Sequence, residues 1–302
     1  MKKESIINKN KLVIKRGIAD KTIAQLRSLN YAVTEPIKLK ILRRLFSKNY
    51  VDSNDEPLVS IYVPTYNRSK ILIDRALNSV MSQSYKNFEF IIVGDCCTDD
   101  TELLVKKIKD KRIKFYNLNY KKKNYLKNNK YILWTTGPVV AANFALSMSK
   151  GKWIARMDDD EIWTENHIEK LLAFSQKNNL EFSSGIHEQF KEGKKILPPG
   201  FDCYGDYFDT NKLKRRIKFH NAKVGHHASW FYRSYLRFFK YNQNSWRKEL
   251  NITHDLDLAV RFIKIGVEIG FLEELIGYNH PRPGEKFTAW QAVQEYGYLG
   301  LK

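Results

Sequence analysis

The sequence predicts an α/β protein: a mainly parallel sheet flanked by helices, preceded by a basic N-terminal extension. Two observations carry this. Short β-branched and apolar runs alternate with segments whose apolar residues recur at helical spacing, the pattern of strands joined by crossover helices. Three of those runs end in polar clusters (PTYNR, GDCCTDD and DDDE), and a doubly wound sheet places its ligands beyond the carboxyl ends of its strands. A chain of 302 residues with 43% hydrophobic residues is long enough to bury a sizeable core.

Residues 1–56 stand apart, with 13 Lys and Arg against 6 acids. Within them, PIKLKILRRLFSKNY sets Ile37, Ile41, Leu42, Leu45 and Phe46 near one helical face and Lys40, Arg43, Arg44 and Lys48 off it. Two readings are open, a helix packed on the main domain with a solvated basic face, and a basic amphipathic helix docked on a membrane.

From residue 57 the alternation begins. Leu58 to Pro64 reads as the first strand, and Ile71, Ile73, Ala76, Leu77, Val80 and Met81 as a helix. Asn87 to Asp95 reads as the second strand. Asp99 and Asp100 open a helical segment carrying Leu103, Leu104 and Ile108, with Asp99 placed to cap it. RIKFYNL reads as a third strand, Val139 to Met148 as a helix, and KWIARM as a fourth strand.

The formal charge of +19, from 52 Lys and Arg against 33 Asp and Glu, suits a polyanionic partner such as an acidic membrane surface or a phosphorylated substrate. Cys96, Cys97 and Cys203 are too few and too unevenly spaced for a disulfide framework or a paired CxxC zinc site, so a reducing cytosol is expected. No apolar run reaches the roughly 18 to 20 residues of a spanning helix, so any membrane contact is expected to be peripheral, on the inner face. No GxGxxG or GxxxxGK[ST] is present, which leaves dinucleotide and P-loop binding without support.

The chemistry gathers in GKWIARMDDDEIW. Adjacent carboxylates repel one another, and hard oxygen donors suit Mg²⁺ or Mn²⁺ shared with a diphosphate. In strand geometry Asp158 and Asp160 point the same way, with Asp159 opposed. The alternative is an acidic helix N-terminus, with a helix running from Glu161 to Leu172.

VSIYVPTYNR, FIIVGDCCTDDT and GPVVAANFALSMSKGKWIARMDDDEIW together resemble, in order, spacing and local sequence, the nucleotide-binding half of family 2 glycosyltransferases, which have the Rossmann-like GT-A fold. The likeness covers residues 57–172, and HHASWFYRSYL with THDLDLAVRFIKIGVEIGFLEE extends it, as an acceptor half at 173–285, to leave a tail at 286–302. The resemblance implies that Pro64, Thr65 and Tyr66 line the nucleoside pocket and that Asp95 meets the base, commonly uracil. The family often reads DDGS where this chain has Gly94, Asp95, Cys96 and Cys97. Asp158 and Asp160 become the metal-binding DxD pair, Asp160 the leading ligand, with Asp158 and Asp159 also meeting ribose or diphosphate. His254 and Asp255 stand where the family carries Glu-Asp, which makes Asp255 the implied catalytic base and Asp257 a neighbour beyond it.

The implied reaction is inverting transfer from a nucleotide-sugar, with Mn²⁺ or Mg²⁺, to a saccharide or lipid-linked acceptor in cell-surface polysaccharide synthesis. Basic runs at 121–130 and 211–223 are candidates to attract an anionic acceptor. The rival readings are a metal-dependent nucleotidyltransferase, and a nucleic-acid-binding protein that would explain +19. An acid cluster at the sheet edge repels phosphate backbones and no nucleic-acid motif is present, so nucleic acid is not an expected partner.

Overall fold

The computed structural model describes residues 17–50, 56–119, 136–191, 194–196, 223–245 and 253–283. The run at 121–130, all of 211–223 but Lys223, Cys203 and the tail at 286–302 lie outside the described residues. The predicted parallel sheet is formed by β1 (Val59–Thr65), β2 (Phe88–Gly94), β3 (Ile113–Asn117) and β4 (Trp153–Arg156), in the order β3-β2-β1-β4. Every residue of β1 and β2 is buried, which is why these strands read as unbroken apolar runs: both are interior strands covered on both faces. The strand order reverses at β1, with β2 and β4 on opposite sides, and this opens a crevice beyond the carboxyl ends of β1 and β4.

The second half is not parallel throughout. β5 (Glu161–Trp163), β6 (Phe182–Lys191), β7 (Lys194–Ile196), β8 (Phe231–Arg233) and β9 (Ile269–Asn279) extend the sheet as β4-β8-β6-β9-β5, with β7 on β6. β8 runs antiparallel to both β4 and β6, and β5 antiparallel to β9. Glu161, expected as a helix start in one reading, is therefore in a strand. Its partner is Asn279, far along the chain, and a local reading could not see that pairing.

Six α-helical elements are described, besides short 3₁₀ turns. α1 (Ile18–Phe46) precedes the sheet. α2 comprises Ser69–Ile71, a π-helical turn at Leu72–Leu77, and Asn78–Met81. α3 (Thr101–Lys107), α4 (Val139–Met148), α5 (His167–Lys177) and α6 (His254–Lys264) follow. α4 has the bounds its apolar run predicts, and α5 buries Ile168, Leu171, Leu172 and Ser175 at helical spacing. Trp153, Trp230, Phe182, Phe231, Tyr232 and Phe262 fill the core where the two halves of the sheet meet.

α1 packs on the domain through its ionic side. Arg27 Nη1 donates to Asn242 Oδ1 at 2.6 Å, Arg43 Nε to Glu181 Oε1 at 2.7 Å, and Arg261 Nε of α6 to Glu35 Oε1 at 3.0 Å. Arg261 also lies 3.9 Å over the Tyr31 ring and 3.4 Å from the buried Asp257 carboxylate. The apolar row Leu26, Leu29, Val33, Ile37, Ile41 and Leu45 faces outward, each residue 51% to 63% exposed. Of the stripe expected at this segment only Leu42 packs against the core. The inner side of α1 presents Glu35 to Arg261 and Arg43 to Glu181, together with the buried Leu39.

Glu35, Arg261 and Asp257 are all buried, so removing one partner leaves charge without water. Glu35→Ala is expected to destabilise the fold by about 3 kcal/mol, the low end of the cost of breaking a buried ion pair, because Asp257 still faces Arg261. Urea unfolding measures it, and a change under 1 kcal/mol (about a fivefold change in the folded ratio) would show that the pair does not anchor α1.

Candidate active site

A cleft of about 460 Å³ lies beyond the carboxyl ends of β1, β2 and β4, within the range of small-molecule sites. Its lining includes Pro64, Thr65 and Tyr66 from the end of β1, Asp95 from the end of β2, Asp158, Asp159 and Asp160 after β4, and Asp255 from α6. The structure thus places all eight of these residues on one cavity. Asp95 is buried, its backbone N–H donating to Thr65 O at 2.8 Å, while Tyr66 stays about half exposed at the mouth. Reciprocal bonds between Asn67 and Thr98 hold the two loops together. Asp99 caps instead of lining the cleft. Its carboxylate accepts from the Thr101 hydroxyl and from the backbone N–H of Ser69 at 3.0 Å and of Thr101 at 3.2 Å, and these bonds outweigh burial to hold it below the usual carboxylate range.

β4 ends at Arg156, so the strand alternation expected across Asp158–Asp160 does not apply. The three side chains diverge in a turn, each toward a different guanidinium. Asp158 pairs with Arg156 and also lies 4.0 Å from His227 Nδ1. Asp159 turns into the protein, accepting from Thr65 Oγ1 and Arg68 Nη1, both at 2.8 Å. Asp160 accepts from Arg282 Nε at 2.6 Å, with Arg68 Nη1 at 3.7 Å. Burial and the Asp160 charge push Asp159 up to about 6. Burial acts on Asp160 too, but Arg282 and Arg68 hold it below the ordinary value, so it stays ionised.

Arg75, on the π-helical turn of α2, fastens this loop from behind. It donates to Asp160 O at 2.9 Å, His280 O at 3.2 Å and Pro281 O at 2.9 Å, tying the acid turn to the segment that delivers Arg282. The cleft is lined from that segment by Arg282, and His280 is not among its lining residues.

On the opposite wall, α6 opens after Thr253 at the N-cap position, so Asp255 sits inside the first turn. A carboxylate there is favoured by the helix dipole. Asp257, one turn face away, is fully buried against Arg261 and takes no part in the cleft. Between the walls runs a buried chain. Tyr62 Oη meets Tyr241 Oη at 2.7 Å, Tyr241 Oη meets His227 Nε2 at 2.8 Å, and the His227 ring stands 5.5 Å from that of His254. Burial, then the nearby Arg156, lowers His227 well below the usual range, so this imidazole is neutral.

Asp158 and Asp160 are the donor type that Mg²⁺ or Mn²⁺ takes. Both present carboxylates to the cleft, Asp158 about a quarter exposed, and each already balances a guanidinium, so the pair is built to face positive charge. This donor set fits a hard divalent cation. Sequence reasoning missed Arg68, Arg156, His226, His227 and Arg282 as lining residues. Arg68 and Arg156 lay inside quoted motifs, whereas Arg282 carried no local signal.

The sequence profile described as Glycosyl transferase family 2 matches residues 60–238, more than half the chain. The chain belongs to glycosyltransferase family 2. Among curated relatives, it is 27% identical to the putative colanic acid biosynthesis glycosyl transferase WcaA of Escherichia coli K12, over 81% of this chain and 80% of WcaA. It is 34% identical to the Escherichia coli UDP-Glc:alpha-D-GlcNAc-diphosphoundecaprenol beta-1,3-glucosyltransferase WfgD, over 48% of this chain and 53% of WfgD. Against an uncharacterized glycosyltransferase of Rickettsia bellii it is 35% identical over 46% of this chain, a match that spans only 18% of that longer protein. The fold is similar to S. aureus TarS 1-349 in complex with UDP-GlcNAc, with TM-score 0.53 and 19% identity over 76% of this chain and 60% of that one. It is also similar to the mannosyltransferase PcManGT of Pyrobaculum calidifontis in complex with GDP-Man and Mn²⁺, with TM-score 0.53 and 14% identity over 88% of this chain and 69% of that one. These likenesses support the GT-A architecture expected of the family 2 chain.

Within the family 2 pattern DDGS, the glycine position is occupied here by Cys96, which has φ 62°, in the left-handed region. A side chain there costs roughly 1 to 2 kcal/mol. Cys96→Gly is therefore expected to raise stability by about 1 kcal/mol, part of the relief being offset by the entropy of an unfolded glycine. A thermal melt checks it; an unchanged or lower midpoint would mean that the Cys96 side chain contributes more than its backbone strain costs.

Proposed function

We propose that this chain is an inverting glycosyltransferase that moves a sugar from a nucleotide-sugar, with UDP the favoured nucleotide, to a saccharide or lipid-linked acceptor. The observation that carries the reading is that one cleft joins the strand-end residues Pro64, Thr65, Tyr66 and Asp95, the Asp158–Asp160 turn and, across from them, Asp255. In this reading the nucleoside lies over the ends of β1 and β2, with Asp95 on the base and the diphosphate toward Asp158, Asp159 and Asp160. Asp158 and Asp160 would hold Mn²⁺ or Mg²⁺, which would supply positive charge for the leaving diphosphate. Arg68 and Arg282 line the same region and offer N–H donors to phosphate oxygens. Asp255 takes the proton of the acceptor hydroxyl as its oxygen bonds to the anomeric carbon, from the face opposite the diphosphate. The bond from that carbon to the phosphate oxygen breaks, and nucleoside diphosphate leaves with the electron pair. The relatives' names, colanic acid biosynthesis for WcaA and a diphosphoundecaprenol-linked acceptor for WfgD, support assembly of cell-surface polysaccharide as the setting.

Asp255→Asn keeps size and hydrogen-bonding shape but loses the carboxylate charge and cannot accept a proton. Transfer at saturating donor is expected to fall by about 10² to 10⁴, with donor binding retained. Asp257→Asn is the paired control, expected to lower stability through Arg261 while the folded protein still transfers. Asp160→Asn should instead weaken Mn²⁺-dependent nucleotide binding. Near-normal transfer by Asp255→Asn, or a larger catalytic loss in Asp257→Asn, would move the base elsewhere.

The outward apolar row of α1, flanked by Lys40, Arg44 and Lys48, supports peripheral contact with an anionic membrane, where a lipid-linked acceptor resides. No helix among the described residues is long and apolar enough to cross a membrane. The double substitution Val33→Glu with Ile37→Glu, on exposed positions, is expected to leave the fold intact and to weaken co-sedimentation with phosphatidylglycerol vesicles at least about tenfold. Equal sedimentation of variant and parent would remove the membrane reading and leave the transferase reading standing.

A further inference from the structure

Behind the acid turn, three side chains from separate elements converge. Glu161 belongs to β5, His187 to β6, and His226 precedes β8. Their ligand atoms all lie within 4.8 Å of one another, with Glu161 Oε2 3.7 Å from His187 Nδ1 and Glu161 Oε1 3.9 Å from His226 Nε2. Glu161 and His187 are each 4% exposed, and Glu161 Oε2 and both ring nitrogens of His187 have no hydrogen-bond partner. A buried carboxylate oxygen and a buried imidazole left unpaired cost several kcal/mol in total, and native interiors rarely carry them together without a reason.

We infer that Glu161, His187 and His226 form a second metal site, distinct from the Asp158 and Asp160 pair, that takes a borderline divalent cation of the Zn²⁺ type. Two imidazoles and one carboxylate are a donor set that Zn²⁺ uses, whereas the all-oxygen pair in the cleft suits a harder ion. Tetrahedral coordination at Zn–N and Zn–O lengths needs ligand atoms about 3.3 to 3.5 Å apart. The 3.7 Å and 3.9 Å separations end on different oxygens of the Glu161 carboxylate. With one ligand atom per residue all separations lie within 4.8 Å, so binding would draw the three side chains together by up to about 1 Å. The ring of His187 is seated for this. It stacks on His226 with centroids 5.2 Å apart, and a Cβ at Gly277 would come within 2.5 Å of it, so the bare backbone of β9 receives the imidazole. Asn279 supplies a fourth position. Its amide nitrogen lies 3.1 Å from His226 Nε2, and the amide turned over presents Oδ1 to the same point. Ligation through Nε2 would put the His226 proton on Nδ1 and so break the 3.3 Å bond that Nδ1 accepts from the Ala228 N–H. A cation here would satisfy the orphaned atoms at once. It would also tie β5, which begins where the acid turn ends, to β6 and to the His226–His227 segment of the cleft wall. This inference does not depend on the transferase reading.

The test is metal content and spectroscopy of the full chain, with no activity assay. After treatment with a chelator, dialysis against Zn²⁺ is expected to restore one equivalent per chain by elemental analysis and to raise the melting midpoint. Co²⁺ is expected to give the visible absorption of a four-coordinate site. Glu161→Gln, an isosteric change at a buried carboxyl, should bind at least about tenfold more weakly, as should His187→Leu. Asp160→Asn should keep the metal. If His187→Leu does not fold, Glu161→Gln decides. The inference is overturned if the parent protein retains no Zn²⁺ or Co²⁺ after gel filtration, if Glu161→Gln retains as much as the parent, or if Asp160→Asn loses it to the same degree.

Discussion

Three successive carboxylates at the end of β4 persist in a half-buried cleft because each is met by a guanidinium from a different place. Arg156 comes from the strand itself, Arg68 from the loop after β1, and Arg282 from beyond β9. Taken out of water without these partners, the same turn would protonate or unfold. The compensation determines the shape of the site, since Arg68 and Arg282 can reach the acids only if the ends of β1 and β9 close around β4. Arg75 fastens that closure through backbone carbonyls on both sides. The turn therefore holds charge of both signs.

The electrostatics also divide the labour among the acids. Asp159, sunk against Thr65 and Arg68, is pushed toward neutrality, while Asp160 between two guanidiniums is held ionised. Asp158 faces Arg156 on one side and the neutral His227 on the other, and through His227 the tyrosine chain reaches His254 beside Asp255. Separating the Asp158–Asp160 turn from Asp255 by a buried network keeps their charges from adding to one another.

The N-terminal helix belongs to the same balance of charge. Glu35 completes the environment of Arg261, and Arg261 in turn satisfies Asp257 two residues beyond Asp255. α1 thus steadies the first turn of α6, both helices lying outside the family match, while its apolar row faces outward.

By itself the sequence determined the parallel half of the fold and the positions of the strand-end motifs. β1, β2 and α4 announce themselves through local apolar patterns, and in a doubly wound sheet the residues after each strand have one edge to occupy, so Thr65, Asp95 and Asp158 were legible as neighbours. The antiparallel half was not, because β5 pairs with β9 across more than a hundred residues and no periodicity encodes a distant partner. The same holds for Arg282 at the cleft and for the meeting of Glu161, His187 and His226. Nor could helical spacing say which side of α1 packs, since a stripe records that two faces differ and the choice between them is made by the charges they meet. Only the tertiary structure decided these matters, because charge balance and burial are properties of what lies across a contact, and the chain order of a sequence does not contain that distance.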